Sequence, residues 1–215
     1  MSPASNRRLG VLVSGRGSNL QALIDAIAAG RLDASVALVI SNREEAPGLA
    51  RARAAGIEAI CLPHRSWPTR DDYDRALVHE LRARDVGVVC LAGFMRLVGT
   101  PLIEAFPHRI INIHPSLLPA FPGLEAQRQA IEHGVKVSGV TVHLVTAELD
   151  GGPIIVQRAV PVLPADTVES LAERILEEEH RAYPDAVRII LDGGWRVEGR
   201  RLVVTEFRSP TSAST

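Results

Sequence analysis

An α/β fold built on a mostly parallel, doubly wound sheet is what this sequence predicts, on three observations. Short apolar runs bounded by Gly, Ser or Pro recur along the first half, at the length of strands buried on both faces. Segments with apolar residues at helical spacing lie between them. Hydrophobic residues make up 46% of the 215, enough for a sizeable core and too many for a disordered chain. Strands and helices alternating in this way pack as a parallel sheet with helices on both faces.

Residues 9–13 form a first buried strand, stopped by Ser14 and Gly15. Leu20, Leu23, Ile24 and Ile27 then mark one face of a helix, and Gly30 ends it. Residues 35–41 read as a second strand, 48–56 as a short helix and 57–63 as a third strand. In 69–85, Tyr73, Leu77 and Leu81 share one side and charges the other, which makes a helix; 86–91 form a fourth strand. The second half is less regular. Residues 109–114 are a fifth strand and 125–134 a helix closed by Gly134. Residues 137–145 alternate as a strand, with 153–162 as its neighbour. A helix from about 167 to 192 carries Leu171, Ile175, Tyr183, Val187 and Ile190. Residues 195–204 read as a hairpin and 207–215 as a frayed, disordered tail. The whole is expected to be a single domain, 1–215.

Composition excludes several classes. With 24 basic against 25 acidic side chains the net charge is −1, which argues against a nucleic-acid or membrane-surface protein. Lys136 is the only lysine, so Schiff-base chemistry and a Walker-type loop have one poorly placed candidate. Cys61 and Cys90 follow apolar runs and read as buried free thiols, with no disulfide framework and no metal site. No signal core opens the chain and no apolar stretch approaches about 18 residues, so a cytoplasmic protein is expected.

Three loops carry chemistry. "SGRGSNLQ", 14–21, joins a buried strand to an amphipathic helix. Gly15 and Gly17 permit close backbone approach, Ser18 or Asn19 can cap the helix, and its free N–H groups suit a phosphate. Leu20 stands where a dinucleotide fingerprint needs a third Gly. "INIHPSLLPAFPG", 111–123, ends a strand on Asn112 and His114, two apart and so on one face. An uncharged amide donor suits an oxyanion, and a His beside it can move a proton near neutral pH. Pro115, Pro119 and Pro122 stiffen the loop that leaves this strand. "ELDGGPI" places Asp150 before a Gly-Gly bend, either a turn residue or a carboxylate that orients His114 and raises its pKa.

In combination these motifs are specific. "VLVSGRGSNLQALIDA", "LAGFMR", "INIHPSLLPAFPG" and "ELDGGPIIVQ" occur in this order, and the chain resembles the phosphoribosylglycinamide formyltransferase family over residues 9–191. The resemblance implies a mononucleotide-binding half at about 8–100, a catalytic and folate-binding half at about 101–205, and a cleft between. It implies small-molecule substrates, 10-formyltetrahydrofolate as co-substrate, no metal, and a monomer or homodimer. Gly17, Ser18 and Asn19 would hold the ribonucleotide phosphate. Glu179, in "EEEHRAYP", would contact the ribose, where the bare sequence suggests a solvated helix face. Arg70, Met95, Arg96, Leu97 and Val98 would line the folate site, with Asn112. Thr146, Ala147, Glu148, Leu149 and Asp150 would close over the pterin. Asn112, protonated His114 and Asp150 would be catalytic.

Departures from the family pattern are Glu125 and Gln127, where histidines are common, Arg16 in the phosphate loop, where it can help hold the anion, and Leu176 in place of a polar residue. Three alternatives remain at this level. A formyltetrahydrofolate hydrolase needs no phosphate loop, and a methionyl-tRNA formyltransferase needs a basic surface and a longer C-terminal part. A non-catalytic nucleotide-binding module has no use for Asn112, His114 and Asp150 together.

Overall fold

The computed structural model describes residues 6–205; the expected frayed tail lies outside the described residues. Nine strands form one sheet: β1 (Arg8–Val13), β2 (Ser35–Ser41), β3 (Ala59–Cys61), β4 (Val88–Leu91), β5 (Ile110–His114), β6 (Val137–Leu144), β7 (Ile154–Pro161), β8 (Trp195–Glu198) and β9 (Arg201–Val204). Six α-helices accompany them: α1 (Ser18–Ala28), α2 (Pro47–Ala54), α3 (Arg70–Ala83), α4 (Thr100–Ala105), α5 (Ala126–Glu132) and α6 (Val168–Asp192). The strand order is β3-β2-β1-β4-β5-β6-β7-β9-β8.

The first five strands are parallel, as crossover helices require. β5–β6 and β6–β7 are antiparallel, so the sheet changes character beyond β5. Each strand distributes its side chains by parity. Leu9, Val11 and Val13 join a cluster with α1, α2 and α6, whereas Leu12 joins Tyr73, Leu77 and Leu81 of α3 and Leu102 of α4 on the other face. The doubly wound expectation therefore holds.

Boundaries differ at points with clear causes. The third strand is only Ala59–Cys61, because Pro63 lacks an N–H to extend the ladder. The fourth begins at Val88, not 86. Helix α4 was not foreseen: its six residues are too few to show a period, though Pro101 sits in its first turn. Cys90 is buried but Cys61 is only half-buried, on the short outer strand.

Candidate active site

The centre of the site is built by strand parity. Ile111 and Ile113 of β5 pack into the α6-side cluster, so Asn112 and His114 point the opposite way, as the two-residue spacing predicts. In the antiparallel register, Asn112 faces His143 and His114 faces Thr141. Val140, Val142 and Leu144, at the alternate positions of β6, join the α6-side core. Four polar side chains from two strands thus share the face away from α6.

Asp150 comes to this patch from the next turn. Its Oδ2 lies 3.5 Å from His114 Nδ1, and its Oδ1 lies 3.7 Å from His143 Nε2. The Gly123 N–H donates to Oδ2 at 2.8 Å, tying the proline-rich loop to the carboxylate. Asp150 has a left-handed φ of 49°. The following turn runs so close to β6 that a Cβ on Gly152 would lie 1.8 Å from the Leu144 carbonyl oxygen. The Gly-Gly pair is therefore what lets the chain double back and present Asp150.

His114 is 5% exposed and sits between two acceptors: Nε2 is 2.8 Å from the Phe121 carbonyl oxygen, with Asp150 on the other side. Only the imidazolium can donate to both. Burial nevertheless pushes the His114 pKa below the ordinary histidine value, outweighing the upward pull of Phe121 and Asp150. This corrects the expectation of a raised pKa: the carboxylate acts in the expected direction, and desolvation exceeds it. In the free site the cation is disfavoured, and it becomes favourable once negative charge develops nearby. Burial pushes Asp150 upward, but the Gly123 N–H and the nearby His114 carry it below its ordinary value, so it stays ionised.

His143 escaped the sequence reading. Its Nδ1 lies 2.9 Å from the Leu144 carbonyl oxygen, so Nδ1 carries the proton and Nε2 accepts from Asn112 Nδ2 at 3.2 Å. One Asn112 N–H is thereby spent on orientation and the other is free. The available signal was a polar side chain at alternate positions of an apolar strand, "VTVHLV", neighbouring the Asn–His strand. Thr141 also has a place: it donates to the Ser116 carbonyl at 2.7 Å and accepts from the Leu118 N–H at 3.0 Å, pinning the loop after His114.

The anion loop follows β1. The N-cap of α1 is Gly17, with φ 70°, and no side chain caps the helix. Ser18 and Asn19 are inside the first turn, which corrects their expected capping role and leaves the leading N–H groups for a ligand. A Cβ on Gly17 would come within 2.7 Å of Gly48 Cα, so the loop packs directly on α2. Arg51 Nε donates to the Arg16 carbonyl at 2.8 Å, bracing the same loop. Glu179 is 8% exposed, not solvated, and accepts from Asn19 Nδ2 at 2.7 Å. Burial raises its pKa against the opposing effects of Asn19 and Arg16. Asn19 Oδ1 is buried without a hydrogen-bond partner in the protein.

The expected folate residues gather after β4. Met95 and Leu97 are exposed, Arg96 and Val98 half-buried, and the Met95 N–H donates to the buried Ser14 Oγ at 2.8 Å. That hydroxyl couples this segment to the anion loop. Asp74 of α3, also missed by sequence reading, accepts from the Gly99 N–H at 2.5 Å and holds the segment's far end. Burial raises the Asp74 pKa, with Arg70 and Arg96 acting against it, so both cations flank this point. In the closing loop Thr146 is half-buried, Ala147, Glu148 and Leu149 are exposed, and Glu148 pairs with Arg200 at 3.0 Å. Exposed Met95, Leu97 and Leu149 with Arg70 and Arg96 fit an apolar ring system carrying an acidic tail. Among the described residues no three His, Cys, Asp or Glu side chains group as a metal site, and no helix is long and apolar enough to cross a membrane.

An oriented amide, a buried imidazole with an ionised carboxylate, and an uncapped helix start at the ends of neighbouring strands define a carbonyl-group transferase acting on an anionic substrate. Residues 7–187 match the formyl transferase family, and the chain belongs to it. It is 45% identical over 183 residues to the phosphoribosylglycinamide formyltransferase of Escherichia coli, covering 85% of this chain and 86% of that one. It is 49% identical to the trifunctional purine biosynthetic protein adenosine-3 of Drosophila melanogaster, spanning 87% of this chain but only 14% of that protein's length. The crystal structure of glycinamide ribonucleotide transformylase 1 from Symbiobacterium toebii superposes with a TM-score of 0.93 at 57% identity, over 95% of this chain and 96% of that one.

Proposed function

We infer that this chain transfers the formyl group of 10-formyltetrahydrofolate to the amine of N1-(5-phosphoribosyl)glycinamide, yielding the formylglycinamide ribonucleotide and tetrahydrofolate for de novo purine synthesis. The observation that carries the reading is His114 Nδ1 at 3.5 Å from Asp150 Oδ2, with Asn112 on the same face. The substrates are small molecules, and the protein works in the cytoplasm as a monomer or homodimer. Residues 8–100 supply the nucleotide side and 101–205 the catalytic and folate side.

The leading N–H groups of α1, from Gly17, Ser18 and Asn19, hold the phosphate, and Glu179 with Asn19 receives the ribose hydroxyls. Met95, Leu97, Val98 and the loop of Thr146, Ala147, Glu148 and Leu149 enclose the pterin. Arg70 and Arg96 meet the acidic tail. The substrate amine attacks the formyl carbon, and negative charge builds on the formyl oxygen. The free N–H of Asn112 and the His114 imidazolium donate to that oxygen, while Asp150 holds the cation. The carbon–nitrogen bond to the folate then breaks. The amine loses one proton and the departing nitrogen gains one, through water. Loss of one such oxyanion donor costs about 3 kcal/mol.

The test follows folate deformylation with and without the ribonucleotide, in wild type and His114→Ala. Ribonucleotide-dependent turnover, reduced at least about a hundredfold in the variant, is expected. Formyl release indifferent to the ribonucleotide would indicate a hydrolase, and unchanged turnover in His114→Ala would remove the mechanism.

A further inference from the structure

Gln157 closes the "ELDGGPIIVQ" run and has no place among the site residues above. Its position in the sheet is specific. His114 of β5 faces Thr141 of β6, and Thr141 faces Gln157 of β7, so the three side chains form one row on one face. Gln157 Nε2 donates to the Leu118 carbonyl oxygen at 2.9 Å and to Thr141 Oγ1 at 3.0 Å, which spends both N–H groups of the amide. Thr141 is wholly buried, gives its own proton to the Ser116 carbonyl and takes the Leu118 N–H, so its hydroxyl is saturated. The Ser116 carbonyl, the Leu118 N–H and the Leu118 carbonyl are thereby clamped to this row.

The clamped turn leads to the partner of the His114 ring. Buried Ser116 Oγ donates to the Ala120 carbonyl at 2.5 Å, and the next carbonyl, that of Phe121, lies 2.8 Å from His114 Nε2. Among the described residues this is the one hydrogen bond the ring makes, since Asp150 stands farther off at 3.5 Å. Phe121 has a left-handed φ of 54°, which a residue with a Cβ keeps only where its surroundings over-determine it. We propose that Gln157 is a positioning residue for formyl transfer: by holding residues 116–118 on Thr141 it keeps the Phe121 carbonyl on His114 Nε2, and so fixes the rotation of the imidazole. This rests on the formyl-transfer reading above. With the Phe121 acceptor in place, the neutral ring carries its proton on Nε2; with the turn loosened, the proton can move to Nδ1, toward Asp150.

The experiment measures kcat and both KM values in wild type, Gln157→Met and Gln157→Glu, each alone and combined with His114→Ala. Met keeps the bulk without a donor, and Glu keeps size and polarity but only accepts at neutral pH. Gln157 is itself exposed, so either change spares the core. Each should lower kcat about tenfold with both KM values within about twofold, as a misaligned group does and a lost binding contact does not. In the His114→Ala background the same changes should cost less than about twofold more, because the ring they position is gone. A general weakening of the fold would instead multiply with the loss from His114→Ala. Nitrogen NMR of the neutral His114 ring reads the arrangement without turnover: Nε2–H in wild type, a mixture of tautomers in both variants. Wild-type kcat in the variants, a loss confined to KM, a loss that multiplies with His114→Ala, or an unchanged tautomer overturns the proposal. A tautomer that responds to the variants in a protein that transfers no formyl group would defeat the formyl-transfer reading alone. Formyl transfer with neither kcat nor tautomer responding would defeat the positioning role alone.

Discussion

Replacing Asp150 by Asn removes a charge while keeping an oxygen that can accept the Gly123 N–H, now bonded at 2.8 Å. The loop should therefore stay in place and the electrostatic role can be read cleanly. At the 3.5 Å separation from His114, a unit charge pair is worth about 5 kcal/mol at an effective dielectric near 20, and about 1 kcal/mol in bulk water. The two side chains are 6% and 9% exposed, with Asp150 open enough to be partly screened. A loss of about 3 kcal/mol in stabilising the imidazolium follows, or about a hundredfold in kcat. Initial rates at saturating concentrations of both substrates measure it. In parallel, NMR titration of His114 should show its pKa lower still in the variant, because Asp150 is one of the groups pulling it upward. A kcat within about fivefold of wild type, or a His114 pKa that rises, would refute the assigned role.

Replacing His143 with Ala frees the Asn112 amide to rotate, so kcat should fall about tenfold with both KM values little changed; a rise confined to KM would contradict the orienting role. The raised pKa of buried Glu179 means that its folded form holds a proton more tightly than the unfolded chain does. That contribution to stability is complete below the ordinary glutamate value and is lost as pH climbs through the raised one. Glu179→Gln should abolish this dependence, gaining on wild type in thermal melts toward neutral pH while raising the ribonucleotide KM; parallel melting curves would count against it. Removing the Arg51 guanidinium by Arg51→Ala should raise the ribonucleotide KM about fivefold and weaken inhibition by inorganic phosphate, with kcat nearly unchanged. Gly152→Ala must displace the turn from the Leu144 carbonyl, and should lower Tm by about 6–12 °C in calorimetry.

Much of this was legible in the sequence, for identifiable reasons. Long elements with a clear period, such as the helix carrying Leu171, Ile175, Tyr183, Val187 and Ile190, lie where the pattern put them, and all five residues are buried. The shared face of Asn112 and His114 follows from strand parity alone. The approach of Asp150 to His114 does not follow from spacing, since 36 positions separate them in the chain. It was available only through the combined motifs. His143 and Asp74 stayed hidden because their roles depend on strand register and on a helix contacting a distant loop, which no local pattern records. The cap of α1 was misread because Ser18 and Asn19 are good capping residues, while the left-handed turn at Gly17 moves the helix start one place earlier. The net direction of the His114 pKa was misjudged because desolvation is a property of packing, and a list of neighbouring charges omits it.

Tyr183 is wholly buried, and its hydroxyl lies 2.9 Å from the Leu91 carbonyl and 3.2 Å from that of Ile111. It stands one turn beyond Glu179 on the same side of α6. The phenol thus works as a dowel, fixing how far the long helix can slide along the strands. Any slippage that moved Glu179 from Asn19 would tear this peg from both strands at once. Sugar recognition and the geometry of the strand carrying Asn112 are consequently locked to a common reference point, and drift in one cannot occur without the other.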